Sequence, residues 1–97
     1  MNYRNRALLD LARDQPCMHC GIEDGTVVAA HSNQSKHGKG MSIKAHDNFI
    51  AFLCAKCHRE LDQGSRWNRE ERQQIWQGAH DKTMLHLWQT EKLQVKK

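Results

Sequence analysis

Two Cys-x-x-Cys pairs, Cys17 with Cys20 and Cys54 with Cys57, bracket residues 21–53 of a 97-residue chain. Two residues between thiolates let both sulfurs face one ion at roughly 2.3 Å, and two such knuckles complete a tetrahedral all-thiolate zinc site. That site closes the intervening loop and draws the segments next to each knuckle together. Every coordination position is then taken by sulfur, so the ion is scaffold and not catalyst. Disulfides and a redox pair are the rival readings of these cysteines. The opening residues, Met1 to Arg6, lead into a charged helix and not a secretory apolar stretch, which argues against disulfides. A redox pair needs a thioredoxin-like βαβ pattern that the chain lacks. Structural Zn²⁺ is the expected cofactor, and the chain reads as cytoplasmic.

A metal staple suits the size. Ninety-seven residues make one domain, 1–97, and a domain this small buries a modest share of its surface. Only 38% of the residues are hydrophobic and the mean hydropathy is −0.86, so a core alone gives thin stability. The net charge of +4 and a pI near 9.0 suit an anionic partner such as nucleic acid. The basic residues gather at Arg4, Arg6 and Arg13, at Lys36, Lys39 and Lys44, and at Lys96 and Lys97. No apolar run approaches the ~20 residues of a membrane span, so no membrane partner is expected.

Leu8, Leu9, Leu11 and Ala12 predict a helix over 5–14, stopped by Pro16, within an N-terminal segment 1–16. Residues 26–31 and 48–53 read as two short strands. Between them, 32–47 is polar and rich in Gly, Lys and Ser, a loop long enough to expect a function of it. A short helix follows the second knuckle to about Asp62 and ends at Gly64, closing a zinc-stapled core over 17–64. In the extension 65–97, Asn68 with Glu71 resembles a capping box. Ile75, Trp76, Ala79, Met84, Leu87 and Trp88 mark one apolar face of a longer helix, with a break expected near 78–82 because Gly78 weakens it.

His58 and Asp62 are four residues apart on the short helix and share a face. They form either a plain helical contact or two ligands of one ion, and the adjacent knuckle fixes where they point. His31 ends the first strand. It is either a hydrogen-bonded structural residue or a general base, a role histidine suits because it titrates near neutral pH.

Taken together, AAHSNQ (29–34), DNFIAFLCAKCH (47–58) and HRELDQG (58–64) resemble the HNH (ββα-metal) endonuclease superfamily. LLDLARDQPCMHCG (8–21) and TMLHLWQTEKLQV (83–95) look like the small prophage-encoded YbcO-like nucleases, and GKGMSIKAHD (38–47) is similar to the HNH domain of Ref-like phage nucleases. The resemblance implies an α+β fold: a ββα-metal core with a four-cysteine zinc site and flanking N- and C-terminal helices. It makes His31 the general base and Asn48, or its neighbour Asp47, the residue that orients it. His58 and Asp62 become ligands of a catalytic divalent metal, Mg²⁺, Mn²⁺, Ni²⁺ or Zn²⁺. Many relatives place an acidic ligand just before the base, where this chain has Ala30. The third ligand is then His31 itself, or His37 or His46 from the long loop.

The implied activity is metal-dependent hydrolysis of DNA phosphodiester bonds, tied to phage DNA recombination or processing, with a recombination or replication protein as candidate partner. Lys36, Lys39 and Lys44 flank glycines in the loop and are candidate DNA contacts, against the reading of a solvated surface loop. Trp76 and Trp88 read as core, whereas Trp67, in a loop-like segment with Arg66 and Arg69, is the tryptophan most open to binding. The competing reading is a non-catalytic zinc module that binds DNA or protein. Oligomeric state is left open.

Overall fold

The computed structural model describes residues 2–96. Helix α1 (Arg6–Asp10) is capped by Asn5, whose side chain accepts from the Leu8 amide. It is shorter than its apolar spacing predicts. After Asp10 the backbone tightens into i→i−3 bonds, Leu11 to Leu8, Ala12 to Leu9 and Arg13 to Asp10, and Asp14 turns the chain with φ 63°. The helix therefore ends in its own turn, before Pro16 is reached.

The sheet has two antiparallel strands, β1 (Val28–His31) and β2 (Ile50–Leu53), in the register Val28↔Leu53 to His31↔Ile50. All four β2 residues are buried. A strand with an open edge would present unpaired amides and carbonyls. Here the outward groups of β2 are satisfied by side chains and by the first knuckle. The Phe52 amide donates to Thr83 Oγ1 at 3.0 Å, the Phe52 carbonyl accepts from Met18 N at 2.8 Å, and the Ile50 carbonyl accepts from His80 Nδ1 at 2.6 Å.

Helix α2 (Ala55–Asp62) starts at Cys54, whose sulfur accepts from the Cys57 amide, so the second knuckle is also the helix cap. Its end needs Gly64 for space: a Cβ there would lie 2.6 Å from the Glu60 carbonyl oxygen. Helix α3 (Arg69–Gln89) opens with the expected capping box of Asn68 and Glu71. The break expected near 78–82 does not occur. Gly78 faces solvent, and Trp76, Ala79, Thr83 and Leu87 are buried along one stripe on both sides of it, so packing holds the two halves in line. Trp88 falls off this stripe and is 49% exposed.

The stretch 32–47 is not the unstructured loop its composition suggests. It holds a 3₁₀ turn at Ser35–His37 and a bridge between Gly40 and Ile43. The N-terminal segment fastens it: Asn2 Nδ2 donates to the carbonyls of Gly38 and Lys44, and Arg4 donates to those of Lys44 and Ala45. The result is a small α+β domain with a four-cysteine cluster at one end of its sheet. Among the described residues, no helix is long and apolar enough to cross a membrane.

Candidate functional site

The knuckle from residue 17 and the knuckle that caps α2 meet. The sulfurs of Cys17, Cys20, Cys54 and Cys57 all lie within 4.8 Å of one another, and all four cysteines are free thiols. A tetrahedron with bonds of roughly 2.3 Å has edges of about 3.8 Å, and Cys20 Sγ sits 3.7 Å from Cys54 Sγ. The donors fit a zinc-sized ion. Their electrostatics point the same way. Burial opposes ionisation of Cys17, but amides of Cys20, Cys54 and His19 bring it down to about 7. Burial first, and then the neighbouring sulfurs, push the Cys54 and Cys57 thiols up. Four sulfurs this close ionise together only around a cation, and that is what a divalent metal supplies.

A second site lies where β1 ends. His31, Asn33, His58 and Asp62 line one cleft of about 470 Å³, closed on the far side by Trp67 and the first turns of α3. The α2 face brings His58 Nε2 to 3.0 Å from Asp62 Oδ2. Asp62 Oδ1 in turn accepts from Asn33 Nδ2 at 3.1 Å. Hydrogen bonding to Asp62, against burial, raises the pKa of His58, and the same bond lowers that of Asp62. The pair is 37% and 40% exposed, so imidazole and carboxylate face open space that water or phosphate can fill.

His31 is held from behind by Asp47, with Nε2 2.7 Å from Oδ1. Asp47 is 3% exposed and also accepts from Arg4 Nη1 at 3.0 Å and from the Asn5 amide at 2.6 Å. Burial alone would raise its pKa; the bonds from His31, Asn5 and Arg4 outweigh that and lower it. An ionised carboxylate only accepts. Nε2 of His31 therefore carries the proton and donates, leaving Nδ1 as the basic nitrogen of the neutral ring.

The expected orienting residue, Asn48, is exposed, and its side chain makes no hydrogen bond among the described residues. Asp47 takes that place, because the turn into β2 aims residue 47 inward and residue 48 outward. Nor does His31 complete a three-ligand set. Among the described residues, the four cysteines are the one group of three or more ligand side chains this close together. His37 does not line the cleft. It is buried, bonded to Ser32 Oγ at 2.6 Å and stacked on Phe49 with ring centroids 4.3 Å apart. His46 is likewise engaged elsewhere, its Nδ1 accepting from the Tyr3 amide.

Lys36, Lys39 and Lys44 also lie off the cleft, and the cations that line it are Arg69 and Arg72. Arg72 braces the turn between α2 and α3 by donating to the carbonyls of Gly64 and Trp67.

A family model described as "Protein of unknown function (DUF968)" matches residues 1–85. The chain belongs to the DUF968 family. No curated protein and no solved structure matches it. The span matched to DUF968 takes in both knuckles and every residue lining the cleft.

Within this DUF968 chain, Asn33 and Arg72 are the site residues that sequence reasoning missed. Asn33 carried a usable signal: it is two residues beyond His31 and an extended chain puts both on one side. Arg72 carried none, since its role depends on how the turn between α2 and α3 folds.

Proposed function

We propose that this chain is a metal-dependent DNA endonuclease of the HNH type. The observation that carries the reading is the tautomer-fixed His31 facing the same cleft as the His58–Asp62 pair. The order β1, β2, α2, with the pair on α2 beside a cysteine knuckle, supports the same assignment. His58 and Asp62 would hold the ion; when bound, a divalent metal stabilises charge on the phosphoryl oxygens and the leaving oxygen.

The remaining chemistry belongs to the chain. His31 Nδ1 accepts a proton from water, and the water oxygen attacks phosphorus. The bond from phosphorus to O3′ breaks, and solvent protonates the departing oxygen, leaving a 5′-phosphate and a 3′-hydroxyl. Asp47 keeps the ring in the required tautomer and stabilises the imidazolium that forms. Asn33 keeps Asp62 turned toward His58.

The test is nicking of supercoiled plasmid with Mg²⁺, Mn²⁺, Ni²⁺ or no added metal, by wild type, His31→Ala and His58→Ala, each checked for zinc content. Metal-dependent nicking in wild type, lost in both zinc-loaded variants, is the expected result. Tight DNA binding with no cleavage under any metal would replace this reading with a non-catalytic zinc module.

A further inference from the structure

We propose that the cleft takes up one unpaired nucleotide, so that the chain engages single-stranded DNA in preference to intact duplex. The proposal rests on the nuclease reading for where the phosphate lies, beside His58 and Asp62. What it adds comes from the rest of the cleft wall.

The apolar part of the cleft lining is formed by Leu53, Leu61, Trp67 and Trp76. The two tryptophans differ. Trp76 is 7% exposed and spends its indole N–H on the Ala30 carbonyl at 3.1 Å, so it belongs to the fold. Trp67 is half-buried, and its indole N–H has no partner among the described residues. Arg66 lies over one face of the ring, its guanidinium carbon 5.0 Å from the centroid. An aromatic ring carrying an exposed arginine is a pairing that can stack a base and meet its phosphate.

The rim supplies amides. Gln34 on one wall and Gln73 on the other line the cleft, and neither side chain has a hydrogen-bond partner among the described residues. An amide offers both donor and acceptor, which is what the edge of a nucleobase requires. Arg69, exposed at the start of α3, adds a second cation to the same wall.

A duplex leaves these groups idle. Its base faces are stacked on one another, and only sugar, phosphate and groove edges reach the protein. A cleft of about 470 Å³ lined by both apolar and amide side chains is matched by a base that has left the stack.

The experiment measures binding of the zinc-loaded chain to fluorescein-labelled oligo-dT, a mixed-sequence single strand and its duplex, without added Mg²⁺. The expected result is at least tenfold tighter binding to single strands, with quenching of tryptophan fluorescence. Trp67→Ala is expected to weaken it by about 5- to 150-fold, the range for losing one stacked base. Because Trp67 also packs against the core, the double variant Gln34→Ala/Gln73→Ala tests the same pocket without removing a core side chain and is expected to lose single-strand preference. Equal affinity for duplex, or single-strand binding unchanged in both variants, overturns the proposal. Tenfold tighter binding to an RNA oligomer of the same length overturns DNA as the ligand.

Cleavage of the same oligonucleotides in Mn²⁺ by wild type and His58→Ala is read in parallel. Selective binding without cleavage removes the nuclease and leaves the pocket. Cleavage without selectivity does the reverse.

Discussion

The buried carboxylate behind His31 decides what that histidine can do. Asp47→Asn is nearly isosteric, but its amide nitrogen can donate to Nε2, which places the ring proton on Nδ1 and removes the base. Cleavage is expected to fall at least about tenfold, the scale on which orienting partners of site histidines act. Asn48→Ala, one residue away, is expected to leave it unchanged. Equal loss in both variants would sink the tautomer argument. A second expectation concerns pH. The bond to Asp62 raises the His58 pKa, so without a cleft metal the pair stabilises the fold fully below the ordinary value near ~6.5. That contribution is lost as pH rises through the higher folded value. Metal must displace the same proton, so Mn²⁺ affinity, followed by electron paramagnetic resonance, is expected to climb through neutral pH and level off only above the raised pKa. A flat profile between pH 6 and 8 would show that His58 is not a ligand. At this scale His31, His58 and Asp62 could be picked out from the sequence because spacing on a strand end and a helix face is local. The choice between Asp47 and Asn48 could not, because it depends on which way one turn rotates before β2 begins.

Helix α3 shows why element-scale reading succeeded at its start and missed in its middle. The capping box is written in adjacent residues, Asn68 and Glu71, and needed no tertiary knowledge. The buried stripe of Trp76, Ala79, Thr83 and Leu87 is only partly apolar, since Thr83 and the neighbouring His80 serve the edge of β2. Apolar spacing alone therefore puts Trp88 on the buried face and predicts a break at Gly78. Thr83 Oγ1 accepts from Phe52 N and donates to the Ala79 carbonyl. Thr83→Val keeps the shape but leaves a buried amide without a partner, at an expected cost of about 1–3 kcal/mol. Thr83→Ser keeps the hydroxyl and should lose clearly less. Urea denaturation of the two variants makes the comparison; equal losses would mean that the methyl group, and not the strand-edge bond, matters at this position.

For the molecule as a whole, the four sulfurs add one cross-link to a small core that α1, the two strands, α2 and α3 already share. The first knuckle follows α1, the second caps α2, and the sheet between them has only two four-residue strands. A two-stranded sheet is marginal alone, and small domains commonly have total stabilities of about 5–15 kcal/mol. Structural zinc contributes on the order of 10–16 kcal/mol in small zinc-dependent folds, so here the metal term is expected to match or exceed everything else. The chain should bind one zinc per molecule. Stripping it should abolish the cooperative melt followed by circular dichroism, and Mg²⁺, a hard ion that avoids thiolates, should not restore it. Cys57→Ser, at a buried position, and Cys20→Ser, at an exposed one, should behave alike, because both remove one of four ligands. A difference that followed burial would assign the effect to packing. A zinc-free chain that still melted cooperatively within a few degrees of the holo form would make the core self-sufficient. It would also free the position of α2, and with it His58 and Asp62, from the metal that the knuckle spacing implies.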